Sequence, residues 1–257
     1  MIEPTTTTAS QGHGLMWYGA RSHAVQLAEL MGNTGRVVAV ELHAARARRV
    51  RENAERLGLD CVRVVTADAA DAAQLRSILR AHASTQGHQN HDGDAATAGD
   101  ESGGPPLADC VVLDAPCSGT GTLRRNPEFR YRRGAPTRLT RLVEMQVELL
   151  DAAAELVAVG GTLTYAVCSP LACETTEAVR AFLARQPAFE VIPVDVPELL
   201  PYATDCDGLG GARTCLRTWT HKHPADSHFA CKLTRRSISI GDDAATGHAH
   251  AATSERE

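Results

Sequence analysis

Aromatic residues make up only 4% of this 257-residue chain, which leaves few rings on which unpaired bases could stack. There is no global excess of positive charge either. The net charge is −5, so no whole-molecule field draws in a polyanion, and any basic surface must be local. No apolar run approaches the roughly 18 uncharged residues that cross a bilayer, and the N-terminus has no apolar segment of signal-peptide type. The eight cysteines include no Cys-x-x-Cys pair. They are expected to be reduced thiols in a cytoplasmic protein, with no membrane contact.

What is present is 43% hydrophobic residues, enough for one sizeable core. Apolar spacing predicts helices over 21–35, 44–59, 69–82, 139–159 and 174–186, and strands over 36–43, 61–68, 108–114, 161–168, 189–196 and 227–235. Such alternation of strand and helix is the signature of βαβ units, hence an α/β fold with a mostly parallel, doubly wound sheet. Residues 1–14 and 237–257 have the composition of disordered ends, and 83–106 that of a flexible inserted loop. The domain proper is expected over 15–236.

In an open parallel sheet, ligands bind beyond the carboxyl ends of the strands. Four predicted strands end there in a chemically useful residue: Glu41, Asp68, Asp114 and Cys168. An acid at the end of the second strand commonly accepts from a ribose, so Glu41 points to a nucleoside-containing cofactor, and Asp68 could receive the donor group of its base. Asp68 could equally be a helix cap, whereas Glu41 is a poor cap residue. Cys117, in "DAPCSGTG", and Cys168, in "YAVCSP", both stand in turns leaving strand tips. A thiol so placed can be ionised and nucleophilic. Cys61, Cys110 and Cys231 fall at strand starts or within a strand, where a thiol is usually a small buried hydrophobe.

The stretches "DAPCSGTG", "LRRNPEFRYR" and "YAVCSP", with the closing "RTWTHKHPADSHFACKL" at 217–233, resemble the Nop/Sun family of RNA (cytosine-5) methyltransferases. The bacterial RsmB-like branch, which modifies 16S ribosomal RNA, looks nearest. The likeness runs from about Val25 to Arg235 and implies a Rossmann-like class I methyltransferase fold that uses S-adenosylmethionine. By the family pattern, Cys168 attacks carbon 6 of cytosine and Cys117 assists release of the methylated RNA. Asp114 lies near the base and the methyl donor, Pro116 stiffens the turn with its carbonyl aimed at the base amino group, and Glu41 and Asp68 hold ribose and adenine. From Arg124 to Arg141 there are seven arginines against one acid, Glu128. This strip, with Arg124, Arg125 and Arg130 foremost, is the expected contact to RNA phosphates, and Phe129 and Tyr131 could stack on an unpaired base.

The resemblance stops abruptly at its N-terminal edge. Where the family has a Pro-Gly-Gly-Lys-Thr-like cofactor loop, this chain has "GLMWYGARSHAVQLAEL" (14–30), with Gly19 its only glycine after Gly14. The change suggests a truncated or frame-shifted N-terminus, puts the first strand of the sheet in question, and sets Arg21 and His23 where glycines would admit the methionine moiety. Val167 stands where the family usually has Thr. The rival function is a catalytically impaired RNA-binding remnant that no longer takes the cofactor. Residues 14–24 discriminate: a strand and tight turn beside Glu41 favours the enzyme, disorder the remnant. A zinc site from Cys206, Cys215, His221, His223 and His228 fits no standard spacing, and a monomer without metal is expected.

Overall fold

A computed structural model describes residues 14–18, 23–84, 107–131, 135–206 and 208–237. The strands are β1 (Gly14–Tyr18), β2 (Arg36–Glu41), β3 (Val62–Thr66), β4 (Ala108–Asp114), β5 (Val157–Val167), β6 (Phe189–Ile192), β7 (Ala203–Thr204), β8 (Cys215–Arg217) and β9 (Phe229–Arg235). They form one sheet in the order β3, β2, β1, β4, β5, β9, β8, β7, with β6 also paired to β9. β1 to β5 run parallel, and the strands beyond β5 join antiparallel. The helices are α1 (His23–Leu30), α2 (Ala44–Arg56), α3 (Ala72–Ser84), α4 (Ala135–Ala154) and α5 (Thr176–Arg185).

Period-two alternation along the strands explains why helices cover both faces. Val37 and Ala39 of β2 pack with Ala24, Val25 and Ala28 of α1 and with Val50 and Ala54 of α2. Their neighbours Val38 and Val40 join the opposite cluster, with Leu75 of α3, Leu150 of α4 and Phe182 of α5. The α/β class and the doubly wound, parallel-dominated sheet expected from the sequence are therefore those the chain adopts.

Some expectations need correction. The first strand is not defective: β1 lies between β2 and β4, in register from Gly14↔Arg36 to Tyr18↔Val40 and from Leu15↔Cys110 to Tyr18↔Leu113. Strand pairing is a backbone property, so the loss of the glycine-rich motif did not remove the central strand. Gly14 opens that strand and so does not belong to an N-terminal tail. β5 starts at Val157, where a helix was predicted to continue, because Ala108 N donates to Leu156 O (2.8 Å) and Val157 pairs with Ala108. β6 stops at Ile192, since Pro193 has no N–H for the ladder and Val194 N turns to Arg213 O (2.8 Å). The short β7 and β8 were not foreseen. Residues 1–13, 19–22, 85–106, 132–134 and 238–257, on which the predicted ends, part of the cofactor loop, the inserted loop and Arg132 and Arg133 fall, lie outside the described residues.

Candidate active site

The strand order places the chemically useful tips side by side. Along the carboxyl edge, β3 leads to Asp68, β2 ends at Glu41, β4 ends at Asp114 and β5 leads directly into Cys168. The order reverses between β1 and β4, which is where such sheets open a crevice for ligands. Because Asp114 pairs with Ala166, Cys117 and Cys168 leave adjacent strand ends only three and two residues further on.

The two sulfurs stand 3.3 Å apart. One thiol must donate and the other accept. Hydrogen bonding to Cys168, reinforced by burial, pushes the Cys117 thiol well up. The same bond lowers the pKa of Cys168, against burial and the nearby Asp114 charge, which both raise it. The shared bond thus favours the thiolate at Cys168 and the thiol at Cys117. Both are partly exposed.

A buried carboxylate holds the turn between them. Glu174, fully buried, accepts from Ser118 N–H at Oε1 (2.7 Å) and from the Ser118 hydroxyl at Oε2 (2.6 Å). Gln146 of α4, also fully buried, donates from Nε2 to Pro116 O (2.8 Å) and to Glu174 Oε1 (3.2 Å). The turn is tied across to β5 as well: Gly121 N donates to Cys168 O (3.0 Å) and Ser227 N to Gly121 O (2.9 Å). These contacts explain the glycines of "CSGTG". A Cβ at Gly121 would lie 2.7 Å from Cys168 O and collide with Ser227 O, and one at Gly119, which sits at φ +71°, would lie 2.6 Å from the Phe129 ring. The Pro116 carbonyl, expected to face the base amino group, accepts from Gln146 and keeps a second lone pair. Gln146 was missed, although a lone amide within the apolar stripe of α4 was the signal.

On the cofactor side, Glu41 is buried, and its Oε1 forms an ion pair with Arg46 Nε (3.0 Å) and accepts from His43 N–H (3.3 Å). A carboxylate offers about four lone-pair sites, so acceptor capacity remains. Asp68 is not the cap of α3. Asp71 takes that role through Gln74 N (2.9 Å), while Asp68 is exposed and closes only a local turn onto Ala70 N (2.9 Å). His23, which stands where a cofactor-loop glycine was expected, faces Asp114: its Nδ1 lies 3.6 Å from Asp114 Oδ2, and the interaction with Asp114 raises its pKa. An imidazole and a carboxylate therefore face each other at the carboxyl edge of the sheet.

Of the basic strip, Arg124 (3.4 Å) and Arg125 (2.5 Å) both pair with Asp226, whose side chain is 3% exposed. Burial works against that charge, and the Arg125 and Arg124 guanidiniums overcome it, holding the carboxyl below its usual range. The two arginines, expected to meet phosphate, also pin the loop before β9 to the Cys117 turn. Arg130 and Tyr131 are exposed on a 3-10 turn, Pro127–Tyr131. Among the described residues, no three His, Cys, Asp or Glu side chains gather as a metal site, and no helix is long and apolar enough to cross a membrane.

A family model described as 16S rRNA methyltransferase RsmB/F matches residues 19–234. The chain belongs to this family. It is 32% identical over 217 residues to a probable ribosomal RNA small subunit methyltransferase B of Bacillus subtilis (strain 168), covering 83% of this chain and 40% of that protein. Over 93 residues it is 47% identical to ribosomal RNA small subunit methyltransferase B of Thermus thermophilus, covering 36% of this chain and 23% of that protein. Among solved structures, NSun6 from Pyrococcus horikoshii with SFG superposes with a TM-score of 0.64 at 22% identity, over 87% of this chain and 48% of that one. That last likeness is one of fold. The chain spans less than half the length of these relatives.

Proposed function

We propose that this chain carries the catalytic domain of an S-adenosylmethionine-dependent RNA (cytosine-5) methyltransferase acting on 16S ribosomal RNA, with Cys168 as nucleophile. The observation that carries the reading is the 3.3 Å pair of thiols at neighbouring strand tips, one sulfur disposed to ionise and the other to donate. Carbon 5 of cytosine is too weak a nucleophile to accept a methyl group unaided. Addition of the Cys168 thiolate to carbon 6 makes carbon 5 enamine-like, and after methylation a base, water or a side chain, takes the carbon 5 proton as Cys168 departs as thiolate. Cys117 holds a proton beside the Cys168 sulfur and assists that release.

The cofactor fits the residues present. Glu41 and Asp68, acceptors at the tips of adjacent strands β2 and β3, would hold ribose hydroxyls and the adenine amino group, beside a crevice at the point where the strand order reverses. When bound, S-adenosylmethionine supplies the methyl group. Asp114, at the β4 tip, would orient the base and balance charge at the ring. Arg130, with the solvent-facing parts of Arg124 and Arg125 (58% and 66% exposed), would meet phosphate oxygens, and Pro116 would stiffen the turn under the base. The ordered β1 beside Glu41 speaks for the enzyme over a remnant that has lost the cofactor.

The test is transfer of tritiated methyl from S-adenosylmethionine to 16S ribosomal RNA. Cys168→Ala should abolish it. Cys117→Ser should accumulate a denaturation-resistant protein–RNA adduct that the wild type does not. Methylation undiminished in Cys168→Ala would refute the reading.

A further inference from the structure

We infer that Cys117 and Cys168 are also a modification site: a hydroperoxide-sensitive dithiol that closes to a reversible disulfide across the tips of β4 and β5. The geometry is the argument. A disulfide needs its sulfurs at about 2.05 Å, and these stand at 3.3 Å, so side-chain rotation has about 1.2 Å to close. The two turns are held together by backbone bonds from Ala115 N to Ala166 O (2.9 Å) and from Gly121 N to Cys168 O (3.0 Å). Both thiols are partly exposed. The other thiol cluster, Cys206, Cys215 and Cys231, is 6%, 0% and 1% exposed, out of reach of a peroxide in the folded chain. Cys168 also meets the requirement for peroxide attack, since its bond from Cys117 favours the thiolate.

The step balances with a hydroperoxide as oxidant. The Cys168 thiolate attacks the terminal oxygen, the O–O bond breaks, the departing alkoxide or hydroxide takes a proton, and Cys168 becomes a sulfenic acid. Cys117 then attacks that sulfur, gives up its thiol proton and expels the hydroxyl as water. The two thiols lose two electrons and the peroxide gains them. Given the function proposed above, the disulfide removes both groups that methyl transfer uses, so oxidation would silence the enzyme until a thiol reductant restores it. The cross-link itself does not depend on that reading.

The experiment treats the full chain with hydrogen peroxide, blocks remaining thiols with N-ethylmaleimide, and assigns the sulfurs by tandem mass spectrometry of a digest. Expected is a joined pair of peptides carrying Cys117 and Cys168, about 2 Da lighter than the two thiol forms together. Dithiothreitol should return both cysteines to alkylation, and Cys117→Ser should leave a sulfenic acid on Cys168 that dimedone captures. Two results would overturn the inference: both sulfurs still alkylated after peroxide, or Cys168 driven to sulfinic acid beside a free Cys117. A cross-link in a chain that never methylates RNA would sink the proposed function and leave this site standing; active enzyme that never cross-links would do the reverse.

Discussion

Glu174 offers the sharpest test of what holds the Cys117 turn. Its carboxylate takes three donors from a fully buried position: Ser118 N–H, the Ser118 hydroxyl and Gln146 Nε2. Glu174→Ala removes the acceptor and strands all three. Hydrogen bonds to a charged group contribute about 1.5–3 kcal/mol each, and a buried donor left without a partner costs about 1–3 kcal/mol. Even with some relaxation, a loss of about 4 kcal/mol is expected, a large share of the roughly 5–15 kcal/mol that a domain possesses. Glu174→Gln should behave differently. The amide oxygen can stay toward Ser118 N and Gln146, and the new NH2 can donate to Ser118 Oγ, whose proton turns to Thr120 Oγ1, 2.9 Å away. Its cost should be about 1–2 kcal/mol. Urea unfolding of the three proteins gives both numbers. A Glu174→Ala penalty below about 1 kcal/mol, or a Gln variant as unstable as the Ala one, would refute the view that this carboxylate clamps the Cys117 turn.

Other consequences are as concrete. Gly121→Ala should destabilise the fold by about 3 kcal/mol or more, measured in the same denaturation, because backbone carbonyls of Ser227 and Cys168 occupy the space a Cβ needs. Alkylation of Cys168 by iodoacetamide should rise through a midpoint below the usual thiol value of 9.0, whereas Cys61, whose burial pushes its pKa up, should titrate above it. Cys117→Ala deletes the hydrogen bond that favours the Cys168 thiolate, so the Cys168 midpoint should move to higher pH. The His23–Asp114 pair raises the pKa of His23 from 6.5, so its stabilising effect is full below about 6.5 and fades as pH rises through the raised value. Stability curves of wild type and His23→Gln should therefore differ most in mild acid and converge at alkaline pH.

Much was written locally. Alternating apolar runs with β-branched residues determined β2, β4 and β9, and helical spacing determined α2 and α5, because periodicity is a property of neighbouring residues. The same local chemistry placed Glu41, Asp68, Asp114 and Cys168 at strand ends and singled out Cys117. β1 was misjudged because its identity rests on pairing with β2 and β4, which five residues of sequence do not announce. Its neighbours in space are 22 and 95 positions away, Arg36 against Gly14 and Cys110 against Leu15.

What only the tertiary structure decided is who meets whom. That Cys117 and Cys168, 51 positions apart, come within hydrogen-bond distance at 3.3 Å follows from parallel pairing of β4 and β5. That Glu174 and Gln146 grip the turn follows from α4 packing over those strands. Asp226 reaching Arg124 and Arg125 from 102 and 101 positions away, and His23 reaching Asp114, depend likewise on strand order. Sequence sets the chemistry available at each tip; the sheet sets the distances, and hydrogen bonding and ion pairing exist only at those distances.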